Sequence, residues 1–151
     1  MVEGIRVLDP TIDANSQNSL LAIRPESLNG LTVGLLANGK KNSVEILQYV
    51  YEILKDDHGL GAVIEDNKGN ASRPCPPDLL EKLANQCDVI ITASGDWGSC
   101  SSCSVHDGIQ FEKRGLPAAV ICTEPFVSSA VAMSKMGGIP EFPFAVVPHP
   151  L

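Results

Sequence analysis

Two cysteines and a histidine follow one another at three-residue intervals in the segment GDWGSCSSCSVHDG, residues 95–108. Glycine and serine surround Cys100 and Cys103, and the pattern predicts a helix that begins just beyond them at Val105. A cysteine at a helix N-terminus meets unpaired backbone N–H groups and the positive end of the helix dipole. We therefore expect a thiol pKa below the free value of about 8.5, and with it a reactive thiolate.

The spacing of these side chains suits more than one chemistry. In a Cys-x-x-Cys pair, the Cys103 thiol can resolve an intermediate that forms on Cys100. His106 lies one helical turn further and could act as an acid, a base or a third metal ligand. The alternatives are a transition-metal site with Cys100, Cys103 and either His106 or His149 as ligands, and two small residues buried in a turn.

The elements that position this segment are predicted from apolar runs and helical periodicity. Strands are expected over 31–37, from 62 to 64 onward, and over 88–94, 117–123 and 144–148, and helices over 44–58, 77–85, 105–114 and 126–136. Strands that alternate with single helices predict an α/β protein with three layers, α/β/α. The sheet is expected to be mainly parallel and Rossmann-like, with about five strands.

The predicted domain organisation is one α/β domain over residues 31–151. Residues 1–30 lack clear periodicity and are expected to form an irregular N-terminal arm, in which residues 5–9 could add an edge strand.

Further candidate residues lie where the strands end, because open α/β sheets collect their chemistry beyond the carboxyl ends of the strands. Substrate contacts are expected from Asn38, Lys40, Trp97, Ser99 and Glu124, and proton transfer from His106 or His149. Lys40 and the helix N-termini would suit a substrate carboxylate. Asp96 and Asp107 could orient His106 or bind substrate, although acidic residues also stabilise helix starts without any further role.

Charge and composition exclude several classes of function. The formal net charge is −7 and the pI is near 4.8, which argues against a surface that binds nucleic acid phosphates. The sequence has no run of the roughly 18 apolar residues that a membrane span requires. The first residues resemble no signal peptide or presequence, so we expect a cytoplasmic protein whose five cysteines are reduced.

Residues 95–126, together with PFAVVPHPL at residues 143–151, resemble the family named for a U-G-S-C motif, in which U is selenocysteine or cysteine. They resemble more distantly the catalytic portion of the selenoprotein B subunits of glycine, sarcosine and betaine reductases, which carry U-x-x-C-x-x-C and a terminal Pro-His-Pro. Those enzymes use the selenol as the nucleophile that reductively cleaves a bond next to a carboxylate.

The resemblance assigns roles to three residues. Cys100 matches the cysteine of U-G-S-C, Cys103 matches the last cysteine of the longer motif, and Trp97 occupies the selenocysteine position. The resemblance thus implies that the principal nucleophile is absent and that a dithiol remains. Relatives continue beyond Pro-His-Pro with a further helix, so the resemblance implies either a truncated sequence or self-association or a companion subunit that completes it.

The leading functional hypothesis is a thiol-dependent oxidoreductase or lyase that acts on a small electrophile, and the sequence identifies no cofactor for it. Cys100 is the expected nucleophile and Cys103 the resolving thiol. One alternative is a metal-dependent hydratase or hydrolase. Another is a non-catalytic subunit of a larger reductase-like complex, which would bind a partner or ligand.

Overall fold

A computed structural model describes residues 21–151, and its centre is a five-stranded parallel sheet. The strands are β1 (Val33–Ala37), β2 (Val63–Asn67), β3 (Val89–Gly95), β4 (Ala118–Thr123) and β5 (Ala145–Val147). They are arranged in the order β2-β1-β3-β4-β5, and every neighbouring pair is parallel. The predicted α/β class and the parallel, five-stranded sheet are therefore confirmed.

Single helices connect the strands. They are α1 (Ser43–His58), α2 (Pro77–Gln86), α3 (Gly98–Glu112) and α4 (Val127–Met136), and a 3-10 turn at Glu124–Phe126 precedes α4. Helix α1 ends where Gly59 takes a left-handed conformation, with φ of 71°, and its N–H donates to the Lys55 carbonyl. Glycine adopts this conformation without the steric penalty of a side chain, so His58-Gly59 ends the helix as the sequence indicates.

The predicted start of α3 is wrong by seven residues, because the helix begins at Gly98 rather than at Val105. Glycine and serine are weak helix formers, so residues 98–104 have the composition of a loop. They are helical because the sheet covers one side of this turn: Ser101 and Ser104 are fully buried, and the Ser101 N–H donates to the Trp97 carbonyl. Cys100 and Cys103 consequently lie within α3.

Two hydrophobic cores lie on opposite faces of the sheet, because side chains alternate along each strand. One core joins Leu47 of α1 to the sheet face that carries Val33, Leu35, Ala37 and Ile91. The other packs α2, α3 and α4 on the opposite face and includes Leu36, Leu83, Ile90, Val105, Ile109 and Phe111. The three-layer arrangement follows from this division.

The segment 21–30 contains neither helix nor strand, as expected for the C-terminal part of the arm, and the expected edge strand at 5–9 lies outside the described residues. Arg24 joins this segment to the end of α3 through a 2.8 Å contact between its Nη1 and Glu112 Oε2. Among residues 21–151, no helix is long and apolar enough to cross a membrane.

The strand order determines where a crevice forms. From β1 the chain continues to β2 on one side and then returns to place β3 on the other, so the crossovers diverge between β1 and β3. Ligands of open parallel sheets bind at such a switch point, outside the carboxyl ends of the strands. Ala37 pairs with Ala93 at this end of the sheet, which places the residues that follow each strand side by side.

We predict that Gly108→Ala will lower the free energy of unfolding by about 1–3 kcal/mol, because the added methyl group would overpack the contact of Gly108 with Phe142 and Val120. The added carbon would lie 2.7 Å from Phe142 Cζ and 2.8 Å from Val120 Cγ2, and both side chains lie in the core. Gly98→Ala is the matched control, since its added carbon meets only the Ser129 hydroxyl, at 3.3 Å. Urea unfolding of both variants tests this, and equal stability would contradict the packing argument.

Candidate functional site

Asn38 holds together the two chain segments that form the crevice. Its Nδ2 donates to the Ser94 carbonyl at 2.8 Å, and its Oδ1 accepts from the Lys40 N–H at 3.2 Å. The residue is fully buried. Both ends of the amide are used by backbone, so Asn38 positions the loop and does not face a ligand, contrary to its predicted substrate contact.

Lys40, Asp96 and Cys100 meet at one carboxylate oxygen. Lys40 Nζ lies 2.5 Å from Asp96 Oδ1, and the Cys100 thiol donates to the same oxygen with a sulfur–oxygen distance of 3.9 Å. The side chains of Lys40 and Asp96 are 22% and 16% exposed, so solvent reaches both. An ammonium group and a thiol therefore share one acceptor at the switch point.

An aromatic wall, made of Trp97, Phe126 and His149, borders this oxygen. Trp97 is 65% exposed, and Lys40 Nζ lies 5.6 Å from the centroid of its ring. Trp97 stacks with Phe126 at 6.5 Å between ring centroids, and the His149 ring meets Phe126 edge-on at 5.7 Å. Thr123 Oγ1 lies 3.2 Å from His149 Nδ1 and fixes the orientation of the imidazole. The wall thus gathers residues from the ends of β3, β4 and β5.

The two thiols of the Cys-x-x-Cys pair are less accessible than expected. Cys100 is only 3% exposed, so the prediction that its thiol is accessible to solvent is wrong. Cys103 is half-buried. Burial raises the pKa of the Cys103 thiol, the Lys68 ammonium opposes that shift, and the Asp107 carboxylate adds to it. The expected lowering of thiol pKa is therefore wrong for Cys103, because desolvation outweighs the helix terminus.

A buried ion pair joins the loop after β2 to α3. Lys68 Nζ lies 2.5 Å from Asp107 Oδ2, and both side chains are completely buried. Lys68 Nζ also donates to the Arg73 carbonyl at 2.8 Å, and Asp107 Oδ1 accepts from the Cys75 N–H at 2.8 Å. These contacts hold loop 68–76 against the helix that carries both thiols.

His106 and Ser99 lie on the side of the site that this loop covers. His106 Nδ1 is 3.4 Å from Asp107 Oδ1, and its side chain is 34% exposed. Asp107 therefore contacts His106 as expected, although its other contacts show that it mainly anchors the loop. The Ser99 hydroxyl lies 3.1 Å from that of Ser72, which places the loop over the first turn of α3.

Two further predicted residues are exposed. His149 forms part of the aromatic wall, and Glu124 occupies the first position of the 3-10 turn.

Among residues 21–151, no three His, Cys, Asp or Glu side chains are placed to hold a metal ion. The alternative ligand sets, Cys100 and Cys103 with either His106 or His149, thus form no metal-binding cluster in this structure.

Sequence reasoning missed Lys68 and Phe126. Lys68 directly follows β2. The sequence predicted only where this strand begins, at residues 62–64, and not where it ends, so Lys68 was not recognised as a residue at the end of a strand. Phe126 lies in the 3-10 turn between β4 and α4, where an aromatic residue carries no signal of its own. Its partner Trp97 precedes α3, so only the parallel pairing of β3 with β4 brings the two rings together.

Comparison with protein families gives one match: a model of the UGSC family covers residues 6–151. Comparisons with curated proteins and with solved structures each gave no match.

We predict that Lys68→Met will lower the free energy of unfolding by about 3–5 kcal/mol, because it leaves the Asp107 carboxylate buried without its partner. Lys82→Met is the matched control. Lys82 pairs with Asp66 at 2.8 Å, but its side chain is 50% exposed, so its loss should cost less than about 1 kcal/mol. The measurement is urea unfolding, and similar losses for the two variants would show that the buried pair has no special weight.

Cys122 gives a prediction for alkaline pH. Burial raises the pKa of its thiol to about 11, so the unfolded chain loses this proton at lower pH than the folded chain. The stabilisation is complete below about pH 8.5 and is lost as the pH rises toward about 11, at roughly 1 kcal/mol per pH unit. We expect the stability of Cys122→Ala to fall less steeply in this range than that of the wild type.

The control for this measurement is Val120→Ala, which shortens a buried side chain on the same strand but removes no titratable group. Its stability should decline in parallel with that of the wild type. If Cys122→Ala also declines in parallel, the assigned pKa shift is wrong.

Proposed function

The chain belongs to the UGSC family, and on that premise we propose that it is a thiol-dependent enzyme. It acts on a small, carboxylate-bearing electrophile, with Cys100 as the nucleophile. The observation that carries this proposal is the shared oxygen of Asp96, which places the Cys100 thiol next to the Lys40 ammonium group at the switch point of the sheet.

Lys40 and Trp97 are proposed to bind the substrate. A carboxylate pairs with a lysine ammonium through charge-assisted hydrogen bonds, and Lys40 is exposed enough to accept one from solvent. The exposed ring of Trp97 offers a flat apolar surface beside it. Under the proposed motif alignment, Trp97 stands where relatives carry selenocysteine or cysteine, so the chemistry passes to the remaining thiols.

The proposed reaction starts with transfer of the Cys100 proton to a nearby base, followed by attack of the thiolate on the substrate. With a sulfur electrophile, a mixed disulfide forms and one thiolate leaves. Cys103 then attacks Cys100 Sγ, releases the second thiolate and closes a disulfide, so the dithiol loses two electrons and the substrate gains them. An external thiol reductant returns the pair to its starting state.

The positions of Cys103 and His106 support these roles. Residues three apart on a helix have Cβ atoms about 5–6 Å apart, which is close enough for the two thiols to react after a small adjustment. Burial raises the pKa of Cys103, which suits a thiol that remains protonated until an intermediate forms beside it. His106 lies one turn further along α3 and is exposed enough to exchange protons with solvent.

A reducing compartment such as the cytoplasm fits this chemistry. All five cysteines are free thiols in the structure, and a dithiol enzyme requires them in that form. Self-association or a companion subunit is proposed as well. Val146 exposes apolar surface on β5, a strand at the edge of the sheet, and such edges readily pair with another chain.

A second candidate function is ligand binding without catalysis, and the exposure of Trp97 favours it. The most accessible group at the start of α3 is an indole and not a thiol, since Trp97 is 65% exposed and Cys100 only 3%. A non-catalytic subunit would keep the anion site at Lys40 and the aromatic wall without turning a substrate over.

The experiment incubates the pre-reduced protein with small sulfur and carbon electrophiles that carry a carboxylate. Mass spectrometry follows adducts without added reductant, and product formation follows turnover once a thiol reductant is supplied, with the reaction without protein subtracted. We expect an adduct on Cys100, its loss in Cys100→Ser, and its accumulation in Cys103→Ser with sulfur electrophiles, because the resolving thiol is missing.

Cys87→Ser is the matched control, because Cys87 is buried at the far end of β3 and should not affect labelling or turnover. If Cys100→Ser is labelled and turns substrate over like the wild type, the thiol mechanism is wrong. Saturable binding of a small carboxylate by the wild type without adduct or turnover would support the second candidate.

A further inference from the structure

We propose that Asp96 is an internal competitor of the anionic ligand: its carboxylate occupies the anion site at Lys40 and at the same time holds the proton of Cys100. The resting site is therefore closed, and a carboxylate that displaces Asp96 from Lys40 opens it. This inference deepens the proposed function, on which it rests, because it concerns the same thiol and the same anion site.

The contacts of Asp96 Oδ1 support both parts of the inference. The oxygen lies 2.5 Å from Lys40 Nζ and so occupies a position in which a ligand carboxylate oxygen would pair with this ammonium group. The same oxygen accepts the Cys100 thiol at 3.9 Å. One side chain thus blocks the cation and retains the thiol proton, so the two events are coupled through a single atom.

A ligand carboxylate can exchange with Asp96 only if it can reach the ammonium group. Both partners of the Lys40–Asp96 pair are partly exposed to solvent, so a dissolved carboxylate can reach Lys40. The buried Lys68–Asp107 pair could not exchange in this way, since both of its side chains are sealed from water. A competitor is effective only if the ligand can displace it, and the Lys40–Asp96 pair meets this condition.

Removal of the Asp96 carboxylate would free two groups at once. Lys40 would lose its ion-pair partner, and the Cys100 thiol would lose its hydrogen-bond acceptor. A carboxylate reagent could then pair with Lys40 beside the thiol without an internal competitor.

Iodoacetate and iodoacetamide separate these effects, because they share one reaction and differ in charge. With either reagent, a bond forms between Cys100 Sγ and the methylene carbon, the carbon–iodine bond breaks, iodide leaves and the thiol proton passes to solvent. No electrons are exchanged with another reactant. The ratio of the two alkylation rates therefore measures how strongly the site selects a carboxylate.

The experiment measures both alkylation rates at Cys100 by peptide mass spectrometry, in the wild type, Asp96→Asn, Asp96→Glu and Lys40→Met/Asp96→Asn. In Asp96→Asn we expect the iodoacetate rate to rise about tenfold, and more than the iodoacetamide rate, because an unopposed charge raises local anion concentration. Asp96→Glu retains the competing carboxylate and should behave like the wild type. The double variant should lose the preference for iodoacetate.

Folding is checked in the same samples. Cys122 is completely buried and should remain unlabelled in every folded variant, whereas an unfolded variant would expose it. If Asp96→Asn unfolds, Asp96→Ser, which also removes the carboxylate charge, takes its place in the comparison.

Two results would overturn the inference. One is an Asp96→Asn variant whose Cys100 reacts no faster than in the wild type. The other is an increase that is equal for both reagents and persists when Lys40 is replaced. Failure of the proposed function would give a different result from failure of this inference. In that case Cys100 would still react preferentially with iodoacetate, but Cys100→Ser would retain full turnover.

Discussion

The parallel register between β1 and β3 is the constraint on which the site depends. Ala37, the last residue of β1, pairs with Ala93, so the chain leaves β1 beside the last residues of β3, which ends at Gly95. The Asn38 amide then joins the two departing segments through the Ser94 carbonyl. Lys40 and Asp96 follow at short and fixed distances, which is why an ammonium group from one loop reaches a carboxylate from the other. A one-residue slip in this register would exchange the two faces of β1, both of which are buried, and would separate the pair.

The second constraint is electrostatic and acts from the opposite side of α3. A fully buried lysine and aspartate are tolerated only because they contact each other and satisfy backbone groups of the same loop. Their contacts hold loop 68–76 against α3, the helix that carries Cys100 and Cys103. The site thus lies between two ion pairs of different character: Lys68–Asp107 is buried, and Lys40–Asp96 is partly exposed to solvent. The proposed ligand response depends on that difference.

Most of the fold could be predicted from the sequence, because buried parallel strands appear as continuous apolar runs and α1 and α2 show clear periodicity. The start of α3 could not. Its first turn consists of glycine, serine and cysteine, whose helical state depends on burial against β3 and β4 rather than on intrinsic propensity.

The candidate site was predicted in part. Lys40, Trp97 and His149 each follow a predicted strand, and from this the sequence correctly indicated that they lie near one another at one edge of the sheet. Burial was not predictable, because the same serine-rich turn that suggests an exposed thiol also packs closely enough to cover Cys100. The pairing of Lys68 with Asp107 joins residues 39 positions apart, and no local pattern connects them.

Trp97 is the only tryptophan in the chain, so intrinsic fluorescence reports directly on the proposed anion site. The most direct measurement is a fluorescence titration with acetate and, as an uncharged analogue of the same shape, acetamide. The account predicts a saturable change with acetate that is absent with acetamide, is stronger in Asp96→Asn and is lost in Lys40→Met. An equal response to both compounds, or an acetate response that survives the loss of Lys40, would contradict a carboxylate site at this corner of the sheet.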